Sequence, residues 1–198
     1  GRVDLRRGIV VSCNAYFAQL AQYVGADPIA ATAAAAGLQA ASQPVAANLR
    51  RTLPYAGYGQ GEVLASPLRM ARAVAAIAGN GSLRDAPIVR TADQAAAPAA
   101  WLSPSSASVL RAAMRDVVTS GTGRALAGHA VPVAGKTGTA EVRDAASHSW
   151  FAGFAPAGAQ GTRIAFAIVI ENAGYGGRAA ASLAGDIVTA ARASGVIR

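Results

Sequence analysis

Apolar residues recur every three or four positions through the first 120 residues, and from Val131 they gather instead into short runs with strand character. Asp4 can cap a short turn through Leu5, Ile9 and Val10. A helix over 15–24 puts Tyr16, Leu20 and Tyr23 on one face and stops at Gly25. Asp27-Pro28 has the chemistry of an N-cap followed by a first-turn proline, and Gly37 ends the Ala-rich helix they open. The stretch 42–61 carries Pro, Asn and alternating Gly and reads as loop. Ser66-Pro67 starts another helix through Leu68, Ala71, Val74 and Ile77, which ends at Gly79; Asn80-Gly81 is a tight-turn signal. The stretch 93–100 is a low-complexity Ala-Pro loop. Ser103-Pro104 opens the clearest helix, with Val109, Leu110, Ala113, Met114 and Val117 as its buried stripe before Gly121. Strands are predicted over 131–142, 150–155 and 163–170, and a closing helix over 178–194 turns Leu183, Ile187 and Val188 inward.

Three consecutive strands followed by a helix predict an α+β architecture: a helical subdomain, then an antiparallel sheet with helices packed on it. No internal repeat and no linker divides the chain, so residues 1–198 are expected to belong to a single domain. No apolar run approaches the roughly 18–20 residues of a membrane helix; the best, 164–170, stops at Glu171.

Composition changes this picture in three ways. About a quarter of the chain is Ala and only 6% is aromatic, so the 53% of hydrophobic residues bury less area than that share suggests. The single Cys13 excludes an intrachain disulfide and a cysteine-based zinc site, and His129 and His148 are too far apart for a helical metal pair. No dedicated metal site is therefore expected. The net charge of +8 comes almost wholly from Arg, because Lys136 is the only Lys. The arginines are scattered, with Arg6-Arg7 and Arg50-Arg51 the only pairs and no aromatic–basic interleaving, which argues against nucleic acid. A solvated basic surface, or affinity for anionic polymers, fits better.

Candidate chemistry starts at that lone lysine. Gly135-Lys136-Thr137-Gly138-Thr139-Ala140 lies inside a predicted strand, where glycine marks the close approach of a ligand or another backbone. An ammonium flanked by hydroxyls could hold a peptide carboxylate while the peptide extends the sheet by one strand. The plain alternative is an edge strand protected by one Lys. Ser12-Cys13-Asn14 is the second candidate: a hydroxyl that can relay a proton and an amide that can both donate and accept. Its plain alternative is a helix cap for the segment starting near Ala15.

The two motifs together, with their flanks, are more specific than either. Ser12-Cys13-Asn14-Ala15-Tyr16-Phe17, Gly59-Gln60-Gly61-Glu62 ahead of Ser66-Pro67-Leu68-Arg69-Met70-Ala71, Gly121-Thr122-Gly123, Lys136-Thr137-Gly138-Thr139-Ala140-Glu141 and Trp150-Phe151-Ala152-Gly153-Phe154-Ala155-Pro156 resemble the transpeptidase domain of penicillin-binding proteins. The resemblance runs from about Val3 to the C-terminus. It implies the penicillin-recognising, β-lactamase-like α+β fold and acyl transfer from D-Ala-D-Ala stem peptides of peptidoglycan through a serine ester. It also implies β-lactams as inhibitors, no cofactor, and an extracytoplasmic location in a bacterium.

Residue roles follow from the same resemblance. Ser12 passes the proton to the leaving D-alanine nitrogen, and Asn14 bonds the amide of the acyl side chain. Lys136 supports that network and attracts the substrate carboxylate, which Thr137 and Thr139 bind; the Thr139 N–H is half of an oxyanion hole, and Gly138 lets the peptide approach. The family's nucleophile motif, Ser-x-x-Lys, is missing: Val133 stands three positions before the only Lys. The chain is therefore expected to be the C-terminal portion of a larger transpeptidase domain, inactive alone. The implied alternatives are a β-lactamase or D,D-carboxypeptidase of the same fold, and a non-catalytic module that binds peptidoglycan or a division partner. A class A β-lactamase would carry a deacylating Glu. The first Glu here is Glu62, and Cys13 stands where those enzymes have Asp, so the transpeptidase is favoured.

Smaller features read more simply. Tyr58-Gly59-Gln60-Gly61 lacks phosphate-cradle spacing and either shapes the cleft or makes a turn. Trp150 is a partly buried anchor beside Lys136, His148 an exposed loop residue, and Cys13 a small packing residue.

Overall fold

The Asp4 carboxylate accepts a hydrogen bond from the Arg7 amide and starts α1 (Leu5–Val11), as its side chain suggests. In this computed structural model, which describes residues 2–85, 97–157 and 163–197, two residues separate α1 from the next helix and one separates that helix from the third. Cys13 stands at the N-cap of α2 (Asn14–Val24), and Gly25 serves at once as its C-cap and as the N-cap of α3 (Ala26–Ala35). The backbone at Gly25 has φ +88°, open to glycine and strained for other residues. The expected cap at Asp27 is displaced by this junction. Asp27 lies in the first turn instead and pairs with Arg50 at 3.0 Å.

The predicted loop over 42–61 is corrected by α4 (Val45–Ala56). Leu49 and Leu53, four residues apart, bury against Ala21, Ala26, Ala40 and Ala41 and hold this helix to α2 and α3. Pro54 is tolerated because it falls in the last turn, where the bond it deletes is one of few still to be made. Gly57 then lets the helix end lie on α2, since a Cβ there would sit 2.7 Å from the Ala21 Cβ.

Ser66 and Ser103 cap α5 (Pro67–Ala78) and α6 (Pro104–Ser120) through their hydroxyls, each with Pro at the first helical position. The buried stripe of α6 is rotated from its predicted course. Val109 is half exposed, and the inward residues are Ala107, Ala113, Met114, Val117 and Val118. Small Ala113 packs with Val117 and Ile9, which brings α1 close against α6. Residues 93–96 of the expected Ala-Pro loop lie outside the described residues; Ala99–Ala100 forms β2, paired with β1 (Ser82–Leu83).

The second half forms an antiparallel sheet in the order β3 (Ala134–Val142), β4 (Ala145–Ala155), β5 (Ile164–Ile170), close to the predicted strands. Gly138 lies opposite Trp150 and Thr139 opposite Ser149, and no described strand pairs with the other edge of β3. The C-terminal helix α7 (Ala179–Ala193) covers one face, burying Phe151, Phe166, Ile168, Ala180, Ala184 and Val188. On the other face α5 and α6 contribute Val74, Ala78 and Met114 against Ala134, Ala152 and Phe154. Among the described residues no helix is long and apolar enough to cross a membrane.

Several arginines depart from the expected solvated surface. Arg111 donates to the carbonyls of Ile77 (3.1 Å) and Gly79, Arg163 to that of Ala78 (2.7 Å), and Arg115 to that of Val133 (2.6 Å). The first two meet the orphan carbonyls at the end of α5, where the helix dipole also favours a cation. Arg111→Leu is expected to destabilise the protein by about 1–2 kcal/mol, read as a fall in thermal midpoint, because those carbonyls lose a charged donor. An unchanged midpoint would show that water replaces the guanidinium at no cost.

Candidate active site

Ser12 ends α1 in the left-handed conformation, φ 55° and ψ 53°, which side chains other than glycine rarely adopt. Strain of this kind persists where surrounding structure enforces it. Here Gly121 lies so close to α1 that a Cβ would overlap the Val10 carbonyl oxygen, and the Thr122 N–H donates to that oxygen at 3.3 Å. The segment after α6 thus fixes the end of α1, and α6 itself packs on β3. Across 124 residues of sequence the result is one contact: Lys136 Nζ donates to Ser12 Oγ at 2.7 Å and to the Thr137 carbonyl at 2.8 Å. Neither plain alternative describes these motifs. The N-cap of α2 falls to Cys13, and Lys136 points into the molecule, half-buried, rather than guarding an edge in solvent.

Ser12, Asn14, Lys136, Thr137, Gly138 and Thr139 line a single cavity of about 480 Å³. Burial lowers the Lys136 pKa to about 8, so the ammonium is mostly charged at neutral pH yet close to releasing its proton. Thr137 is buried, and its Oγ1 lies 2.6 Å from the Thr122 Oγ1, so one hydroxyl donates to the other and one proton remains for a ligand. The exposed Thr139 accepts a bond from the Gly176 N–H at 3.2 Å, which leaves its own hydroxyl proton free to donate.

Gly138 has a different immediate reason from the one expected. A Cβ there would come within 3.0 Å of the Trp150 Cβ, so glycine first accommodates the neighbouring strand. His148 is corrected as well: it lies within β4, half-buried, and its Nδ1 accepts from the Asn172 N–H at 3.1 Å. With Trp150, Met70, Val63 and Leu64 it lines an apolar hollow of about 430 Å³ that shares Lys136, Thr137, Gly138 and Thr139 with the first cavity.

Sequence reasoning missed Thr122, Gln60 and Tyr175. Gln60 donates from Nε2 to the Thr139 carbonyl at 2.9 Å, and Tyr175 stands at the cavity mouth. Thr122 and Gln60 lie inside quoted motifs, but only the assembled strand edge gives them partners.

Comparison with known proteins places this arrangement. The family model for the penicillin binding protein transpeptidase domain matches residues 1–189. The chain is 30% identical to the peptidoglycan D,D-transpeptidase MrdA of Acinetobacter baumannii over a gapped alignment of 226 positions, covering 91% of this chain and 33% of that protein. It is also 30% identical to the peptidoglycan D,D-transpeptidase PbpA of Mycolicibacterium smegmatis, covering 98% and 45% respectively. The chain thus spans less than half the length of either relative. The structure of penicillin-binding protein A from M. tuberculosis, as its ceftriaxone acyl-enzyme complex, superposes with a TM-score of 0.79 at 29% identity over 96% of this chain and 48% of that one. The D,D-transpeptidase domain of an Eggerthella lenta peptidoglycan glycosyltransferase gives 0.79 at 29% identity over the whole chain and 55% of that one. By sequence and fold alike, the chain belongs to the penicillin-binding protein transpeptidase domain family.

Proposed function

We propose that this chain is the C-terminal portion of one transpeptidase domain and supplies two of the three motifs of a serine D,D-transpeptidase site. The observation that carries the reading is the 2.7 Å bond between Lys136 and Ser12, which assembles both motifs in one cavity. The nucleophile belongs to a Ser-x-x-Lys outside these 198 residues. Its hydroxyl gives its proton to that motif's Lys as the oxygen attacks the carbonyl of the penultimate D-alanine in a stem peptide, and this proton is the one relayed through Ser12 as the amide bond breaks. Ser12 Oγ, held by Lys136, then hands a proton to the departing D-alanine nitrogen, a role that rotating hydroxyls fill well. The resulting ester is released by an amine from a second stem peptide. Such a substrate places the protein outside the cytoplasmic membrane.

The strand edge suits the acyl donor. In an antiparallel ladder the N–H and C=O of one residue point the same way. The Thr139 carbonyl meets Gln60 on the side away from β4, so its N–H also faces the cavity, where it can stabilise the tetrahedral oxyanion. Lys136, the spare proton of the Thr122–Thr137 pair and the Thr139 hydroxyl together offer a cationic and twice-donating cradle for the terminal carboxylate. Asn14 faces the same cavity from the start of α2 and can bond the acyl side-chain amide.

Intact-mass measurement of the full-length protein after penicillin treatment tests this directly. One stable adduct is expected, on a serine outside this chain. Ser12→Ala should slow its formation by roughly 10²–10³-fold, the scale of a lost proton relay. Rapid turnover of the drug would indicate a β-lactamase instead. No adduct, with no Ser-x-x-Lys in the full-length protein, would indicate a binding module.

A further inference from the structure

The free edge of β3 is not open. Of its outward carbonyls in the cavity, that of Thr137 is taken by Lys136 Nζ and that of Thr139 by Gln60 Nε2. A peptide docking on this edge as an added strand must donate an N–H to an outward carbonyl, and at Thr139 a side-chain amide with the same donor chemistry already stands there. Gln60 comes from a turn that is held throughout, its own N–H donating to the Tyr55 carbonyl at 3.0 Å and that of Gly59 to the Ala56 carbonyl at 3.1 Å, so only its side chain is free to move. At one end Gly57 packs tightly on α2, and at the other Glu62 accepts bonds from the Ser42 hydroxyl and N–H. Between them Gln60 is flanked by Gly59 (φ +81°) and Gly61 (φ +75°), with nothing within 4 Å of where a Gly59 Cβ would lie. The glycine on each side supplies the positive φ of the turn, and rotation about the Gln60 side-chain bonds alone releases the Thr139 carbonyl without disturbing either anchor. Gln60 lines the 480 Å³ cavity, and its partner Thr139 lines both that cavity and the 430 Å³ apolar hollow.

We infer that Gln60 is a placeholder for the acyl donor: its amide holds the Thr139 carbonyl until a donor offers a backbone-like N–H to the same oxygen. It thereby discriminates by ligand chemistry. A ligand that brings the N–H replaces one hydrogen bond with another, whereas one that lacks it either leaves Gln60 in place or strands the carbonyl. The inference rests on the transpeptidase reading above and deepens it.

The test uses the full-length protein and two β-lactams. Penicillin G carries an acylamino side chain with the required N–H; imipenem carries a hydroxyethyl group there and has none. Gln60→Leu removes the donor at similar size, and Gln60→Asn keeps the amide but is one methylene too short to reach. In both variants the acylation rate constant for penicillin G is expected to rise about five-fold, because no neutral hydrogen bond need be broken first. That for imipenem should stay within about two-fold. An unchanged ratio between the two drugs, whether both rates hold or fall together, overturns the placeholder. Slower acylation by penicillin G alone overturns it as well, since Gln60 would then assist binding. Failure of the wild-type protein to be acylated by either drug overturns the transpeptidase reading itself.

Discussion

Replacing Lys136 with Ala in the full-length protein is expected to lower the rate of β-lactam acylation by about 10³-fold or more and leave the fold intact. Two losses combine. The proton relay through Ser12 loses the group that orients it, and general acid–base contributions of this kind are worth roughly 10²–10⁴-fold. The carboxylate of the ligand also loses the one lysine that these 198 residues place in the cavity. Stability responds differently. The two bonds to Ser12 and the Thr137 carbonyl contribute about 1 kcal/mol each. Against them, holding the ammonium at a pKa of about 8 rather than its ordinary 10.5 costs about 3 kcal/mol below pH 8. The variant should therefore melt no lower than the wild type at neutral pH. Between pH 8 and 10.5 the unfolded chain binds more protons than the folded one, so wild-type stability should rise with pH over that window, and the Ala variant should lack the rise. The pH–rate profile supplies a second reading. Acylation should decline above about pH 8 as Lys136 loses its charge. In Lys136→Arg, whose guanidinium stays charged, that decline should vanish even if the rate is lower throughout. Normal labelling of the Ala variant would remove Lys136 from the site.

The site was more legible in the sequence than the helices around it. Lys136 stood out because no other lysine competes with it, and Ser12 and Asn14 because their triplet pairs with it at family spacing. The contact of Ser12 with Lys136 needs no knowledge of loop paths, only that the end of α1 meets β3. By contrast, Pro44, Pro54 and the glycines from Gly57 to Gly61 give the α4 region the composition of a loop and mask the helical pair Leu49 and Leu53. The breakers were real but terminal: Pro44 precedes the helix, Pro54 falls in its last turn, and the glycines follow it. The stripe of α6 drifted for a related reason. Two surfaces, α1 and the sheet, compete for its faces, and periodicity alone gives Val109 and Val118 equal claim. Thr122 and Gln60 were invisible as actors, since their partners lie 15 and 79 residues away on a strand edge that no local pattern describes.

Gly176→Ala is expected to be the most damaging of the small-residue substitutions beside the site, at about 3 kcal/mol. Gly176 is buried on the face of the sheet that α7 also covers. A Cβ there would overlap the Gly138 carbonyl oxygen and lie 2.7 Å from that of Trp150, both backbone atoms of paired strands that cannot rotate away. Relief requires the 173–178 segment to lift. Lifting breaks the bond from the Gly176 N–H to Thr139 Oγ1 and the bond from Ser149 Oγ to the Tyr175 carbonyl. It also pulls on Ala180, whose N–H donates to the buried Ser149 hydroxyl at the start of α7. Two other glycines calibrate the effect by thermal denaturation. Gly174 has open space but φ +75°, so alanine there costs only its backbone conformation, about 1 kcal/mol. Gly128 has neither a positive φ nor any neighbour within 4 Å, and alanine there should change stability by less than about 0.5 kcal/mol. If Gly176→Ala melts with Gly128→Ala, the segment does not rest on β3 and Gly176 does not support Thr139. If it falls well below Gly174→Ala, acylation should fall with it, because Thr139 can no longer keep its hydroxyl proton aimed at a ligand once the Gly176 N–H leaves its oxygen.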